Sequence, residues 1–259
     1  MDTVTSWGLA ALALAAVLVG FSKTAVSGAN TVSLAVFAAV LPARESTGVL
    51  LPLLIAGDVF AVAVYRRHAH WPTLLRLLPA VAAGVVAGTL FMVWAGDTAI
   101  RTSIGAILLL MAAITVWQRR PAAGARPASP DEPPASPDRP GGRLKAGFYG
   151  MLGGFTTMVA NAGGPVLSLY LLSAGFRKLG FLGTAAWFFL IVNTAKVPFS
   201  VGLGLIDAQS LLLDAVLVPL VLAGALLGRA CADRIDQVLF DRLVIGATVL
   251  GGLQLLLFA

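Results

Sequence analysis

Apolar residues run along this chain in long stretches, without the two-residue alternation of a strand that faces water on one side. Six stretches each supply close to the roughly 20 apolar residues that a helix needs to cross a hydrocarbon core about 30 Å thick. They are Thr47–Tyr65, Thr73–Ala95, Thr98–Trp117, Leu182–Leu205, Ala208–Gly228 and Leu243–Ala259. Helices are expected, because lipid offers no hydrogen-bond partner to an open backbone and the dyad pattern of a barrel strand is missing. Four shorter stretches, Trp7–Phe21, Val26–Leu41, Leu144–Ala160 and Gly163–Gly175, are marginal for a crossing. They read either as short tilted helices or as hairpins of broken helices that dip in and return.

Composition narrows the class. Hydrophobic residues make up 58% of the 259 positions and charged residues 12%, against about 25% charge in an ordinary soluble domain. That is too little charge to coat a water-facing exterior, so a polytopic membrane protein is predicted, with the lipid bilayer as its main partner. The opening "MDTVTSWGLAALALAAVLVGFSKT" lacks a basic leader region, and it is expected to be a retained first helix. A single cysteine, Cys231, excludes an intramolecular disulfide and a multi-cysteine metal site within the chain. The net charge of +6 suggests nucleic acid in a soluble protein, but here the basic residues sit at helix ends, where positive-inside topology explains them. No nucleic-acid partner is expected.

Between Gln118 and Arg143 the sequence "QRRPAAGARPASPDEPPASPDRPGGR" can bury almost nothing, and it reads as a flexible cytoplasmic linker. The predicted organisation is a first membrane repeat over 1–118, a linker over 119–143 and a second repeat over 144–259. The two sides echo each other. Gly20-Phe21-Ser22 recurs as Gly154-Phe155-Thr156, while Pro79, Gly84 and Gly88 recur at one common offset as Pro219, Gly224 and Gly228. Each half then holds five helical segments, eight to ten in total depending on how the short pairs are counted. If ten segments alternate, Arg66, Arg67, the linker arginines, Arg177, Lys178, Arg229 and Arg234 share one side, with Arg44 and Arg101 as exceptions. An odd number of segments per half turns the second copy over, so inverted repeats are expected, an arrangement common among secondary transporters, whereas a single crossing for each opening pair would make the repeats parallel.

Candidate chemistry lies in the few polar residues at membrane depth. Lys196 falls well inside "WFFLIVNTAKVPFSVGLG", with Asn193 one turn before it. A charge near the bilayer centre costs about 2.5–3.5 kcal/mol on insertion scales and normally faces a polar cavity or a partner. Lys196 is therefore predicted to bind an anion, against the alternatives of an ion pair with Asp58 or snorkelling to the interface. Asp58 falls beside Asn193 under a near-common offset, and is read as balancing the charge of the empty site or coupling protons. The small-residue loops "GFSKTAVSGANT" and "GGFTTMVANAGGPV" are the other candidate surface. Helices restarting there would aim positive N-termini at a ligand, with Lys23, Thr24, Ser27, Asn30, Thr156, Thr157, Asn161, Gly163 and Gly164 as candidate contacts. His68 and His70 lack a nearby carboxylate or thiol cluster, so no metal site is expected. No catalytic motif is present to suggest an enzyme, and no cofactor is expected.

These segments together resemble the sulfite exporter TauE/SafE (TSUP) family. The resemblance rests on "GFSKTAVSGANTVSLAVF", "GGFTTMVANAGGPVLSLYLL", "GDVFAVAVYRRHAHW" and "VNTAKVPFSVGLG", and covers nearly the whole chain outside the linker. It implies a multi-pass carrier of the bacterial inner membrane that moves small anions, chiefly sulfite, sulfoacetate or other organosulfonates, with protons as a candidate coupling ion. About eight crossings are usual in that family. This chain departs from it at "SKTAVSGAN", where Lys23 stands in a loop with one glycine. A passive anion channel and a non-transporting membrane scaffold are the competing readings.

Overall fold

The computed structural model describes residues 6–24, 30–118, 142–176 and 178–231, with isolated positions beyond. Among these residues every regular element is helical. In chain order the α-helices are α1 (Ser6–Thr24), α2 (Asn30–Val40), α3 (Ala43–Tyr65), α4 (Trp71–Trp94), α5 (Asp97–Gln118), α6 (Gly142–Ala160), α7 (Gly163–Ser173), α8 (Lys178–Gly202) and α9 (Ala208–Cys231), with a 3-10 turn at Arg66–His68. The expected stretch Leu243–Ala259 and most of the linker lie outside the described residues.

Among the described residues, six helices are long and apolar enough to cross a membrane: Ser6–Thr24, Ala43–His68, Trp71–Trp94, Asp97–Ile114, Leu179–Gly202 and Ala208–Cys231. The first of these revises the expectation for Trp7–Phe21, because α1 runs 19 residues, through Lys23 to Thr24. The opening pairs have matching lengths: α1 and α6 are 19 residues each, and α2 and α7 are 11 residues each. Eleven residues rise only about 16 Å, roughly half the hydrocarbon thickness. Each opening pair is thus a long helix followed by a half-length one. Ser33 Oγ donates to the Ala15 carbonyl at 3.0 Å, so α2 packs against the middle of α1.

Close backbone contact at glycines joins the two sequence halves. A methyl group on Gly84 would strike the Met151 carbonyl, and one on Gly224 would strike the Val17 carbonyl. Likewise Gly154 abuts the Val81 carbonyl and Gly20 the Val221 carbonyl. In both cases the second contact is the first one moved to the other half. Small residues allow membrane helices this approach, and van der Waals packing follows from it. Helix α4 therefore packs on α6, and α1 on α9, each pair running parallel.

Two hydrogen bonds fix direction. Tyr65 at the end of α3 donates its hydroxyl to the Thr24 carbonyl at the end of α1, at 3.1 Å. Asn161, just past the end of α6, donates to the Thr47 carbonyl near the start of α3, at 2.9 Å. Helices α1 and α6 consequently point in opposite directions. Arg66, Arg67, His68 and Arg229 share one end of the bundle with the two attachment points of the linker, while Arg44 and Asp97 meet at the other.

Candidate functional site

Helices α3 and α8 cross antiparallel in the middle of the bundle. Gly183 near the start of α8 touches Tyr65 and His68, and Gly48 near the start of α3 touches Leu205. At the crossing Asn193 Nδ2 donates to Asp58 Oδ2 at 2.7 Å. Asp58 is fully buried, and its other oxygen lies 2.6 Å from Lys23 Nζ. Lys23 reaches there from the last turn of α1, and its ammonium also sits 4.6 Å from the centre of the Phe189 ring. An aromatic face attracts a cation, so Phe189 holds the ammonium from a second side.

Lys196 is 1% exposed and faces away from lipid. Its ammonium donates to the Thr157 carbonyl at 2.7 Å and to Asn161 Oδ1 at 2.6 Å, with Thr157 Oγ1 and Asn193 Oδ1 each at 3.4 Å. An ammonium has three protons, and these acceptors are enough to take all of them. Thr157 and Asn161 belong to the C-terminus of α6, where free carbonyls concentrate negative partial charge and favour a cation. Asn161 has φ of 51°, in the left-handed region that asparagine tolerates better than most residues. Its amide N–H reaches the Thr157 carbonyl at 3.0 Å, which closes the helix in an αL cap. That turn aims Oδ1 at Lys196 and Nδ2 at Thr47.

A continuous polar chain results: Lys23, Asp58, Asn193, Lys196, then Asn161 with Thr157. It passes from α1 through α3 and α8 to α6, linking both halves. Lys196 does not pair directly with Asp58, as one of the sequence alternatives would have it. Lys23 takes that place, and Asn193 stands between Asp58 and Lys196, donating to the first and accepting from the second.

Beside this chain lies a cavity of about 60 Å³, enough for a few waters or one small polyatomic anion. Lys23, Asp58, Asn193, Thr157 and Asn161 form its polar wall, and Leu34, Leu54, Ala185 and Phe189 contribute to the apolar one. Asn30 and Thr31 bring the first turn of α2 to it, and Ala162, Gly164 and Pro165 bring the start of α7. Both half-length helices therefore begin at the cavity. Asn30 Oδ1 is buried there and has no hydrogen-bond partner among the described residues.

The remaining candidates sit differently. Lys196 lies behind the wall, its ammonium turned into α6. Thr24 spends its hydroxyl on the Ala225 carbonyl of α9 at 2.9 Å, and Thr156 spends its own on the Leu152 carbonyl at 2.9 Å. Gly163 packs on Thr157 and on the Gly153 carbonyl next to the cavity, with no room for a side chain to be added freely. Ser27 lies outside the described residues. Sequence reasoning did not single out Phe189, although it lies one turn before Asn193 on the same face of α8. It also passed over Asp214 on α9, which is 3% exposed with neither oxygen hydrogen-bonded among the described residues.

Compared with known proteins, the chain matches the family model of the sulfite exporter TauE/SafE family over residues 12–255. No curated protein and no solved structure matches it.

Proposed function

The chain belongs to the sulfite exporter TauE/SafE family, and on that premise we propose that it is a secondary transporter whose cavity binds one small sulfur-containing anion, sulfite or an organosulfonate, between the two halves. The family implies transport of sulfite or a related anion across a membrane. The observation that carries the finer reading is the charge beside the cavity: two ammonium groups, Lys23 in its wall and Lys196 behind it, stand against one carboxylate, Asp58. In formal terms one buried positive charge is left over, and a buried charge calls for a partner. An anion supplies it. The N-terminal turns of α2 and α7 add backbone N–H groups and the positive ends of two helix dipoles.

In this reading Lys23 is the charge that touches the anion, with Asn193, Thr157, Asn161 and Asn30 offering hydrogen bonds. Lys196 strengthens the positive field from behind while holding α6 on α8. Asp58 balances Lys23 when the cavity is empty, and it is the candidate group for coupling to protons. Inverted repeats are part of the proposal, supported by the opposite directions of α1 and α6 and by glycine contacts that recur from one half to the other. The basic end of the bundle is assigned to the cytoplasm of a bacterial inner membrane by the positive-inside bias.

The test is uptake into proteoliposomes of sulfite, small sulfonates and carboxylates, with and without an imposed proton gradient. Saturable accumulation of sulfur oxyanions against their gradient is expected. Flux that only equilibrates would point to a channel instead, and no flux or anion-induced thermal shift across the whole panel would favour a scaffold.

A further inference from the structure

A second, smaller cavity of about 10 Å³ lies on the other side of Asn161, towards the start of α3. Ser46, Thr47, Phe37 and Ala160 help to line it. Leu34 and Asn161 line both cavities, so these two side chains separate them. Beyond this partition the chain turns towards the end of the bundle where Arg44 meets Asp97. The larger cavity lies on the opposite side, beside the last turn of α1 and the early turns of α8.

We infer that Asn161 is the gate between the two cavities, closed in this structure by its hydrogen bond to the Thr47 carbonyl, and that an anion passing through the protein crosses there. The inference rests on the reading that an anion moves through the central cavity, and adds the route. The side chain is suited to the task because its two ends do different work. Oδ1 is held by Lys196 at 2.6 Å, while Nδ2 makes a single bond to a backbone carbonyl on α3. Breaking the Thr47 bond frees the partition without releasing Lys196 from α6. Ser46 is 3% and Thr47 is 7% exposed, so a side chain at either position is buried in this structure. The polar partners of Ser46 and Thr47 also leave the gate alone, for their hydroxyls donate to the Ala43 and Arg44 carbonyls within their own helix.

The gate can be read without any transported anion. Cys231 is the one native cysteine, so Cys231→Ser gives a thiol-free background. A reporter thiol at Ser46→Cys is then treated with a charged, membrane-impermeant methanethiosulfonate on purified protein in detergent. With Asn161 intact, slow labelling is expected. Asn161→Gly keeps the left-handed backbone and removes the amide, and Asn161→Asp keeps an acceptor for Lys196 and removes the N–H. Each should raise the labelling rate at least tenfold, and the aspartate variant carries the test alone if the glycine variant does not fold. Ser33→Cys, buried between α1 and α2, serves as a control and should stay protected. Equal Ser46→Cys rates with and without the Asn161 side chain would overturn the gate, and so would a matching rise at Ser33→Cys, which means general loosening. Neither result depends on which anion the flux panel finds.

Discussion

Lys23 and Lys196 have the same charge and different work. Lys196 is enclosed by acceptors of the α6 C-terminus, and Lys23 stands in the cavity wall between a carboxylate and an aromatic ring. Lys23→Met should therefore reduce anion flux at least tenfold in proteoliposomes, with the protein still monodisperse in detergent. Lys196→Met should abolish flux as well, and in addition lower stability by about 1–3 kcal/mol for each buried acceptor left bare, seen as a fall in Tm. The Lys23 and Asp58 pair is open to a double-mutant cycle. Removing either partner leaves the other as an unmatched buried charge, so Lys23→Met and Asp58→Asn together should cost less than the two single changes added, with a coupling of about 1–3 kcal/mol in thermal unfolding.

At the level of helices, the parallel pairs α4 with α6 and α1 with α9 hold the halves together through glycine. Lipid tails are as apolar as leucine, so burial by itself gives these helices little reason to associate, and close backbone packing must supply it. Gly84→Val and Gly224→Val each drive a side chain into a facing carbonyl. Either should cost about 1–3 kcal/mol or more, measured as a lower Tm in detergent. Gly147→Val and Gly202→Val make suitable controls, because nothing lies within 4 Å of a methyl group added at those positions. The lengths of α2 and α7 matter at this scale too. A half-length helix leaves its N-terminal N–H groups inside the bundle, where only a polar cavity or a ligand can satisfy them.

Across the whole molecule, each half supplies the partner that the other lacks. The first helix of one half lies on the fourth helix of the other, and the central crossing joins Asp58 to Asn193 from opposite halves. Two polypeptides cut within the linker, 1–130 and 131–259, are accordingly expected to assemble when produced together. Copurification of a tag on either piece, with anion flux at half the intact level or better, is the expected result. Failure of the pieces to associate would mean that the linker does more than connect.

Much of this was legible in the chain. Long apolar runs fixed the helical class, since lipid leaves an unpaired backbone no alternative. The repeated Gly84, Gly88, Gly224 and Gly228 pointed to duplication, and the burial cost of an amine singled out Lys196. Lys23 was harder to place. Its loop motif made it a candidate contact without saying what it would meet, and only the packing of α1 against α3 turned it inward onto Asp58. The extent of α1 was equally hidden, because Lys23 and Thr24 interrupt the apolar run but not the helix. Sequence alone determined which residues are too polar for lipid and so must find partners. Tertiary structure decided which partners they found, because residues as far apart as Lys23 and Asp58, or Thr157 and Lys196, meet only once the helices of each half have packed, and Asp58 meets Asn193 only once the two halves have. The physical reason is that desolvation is set locally by residue type, whereas compensation depends on what the fold brings within hydrogen-bond reach.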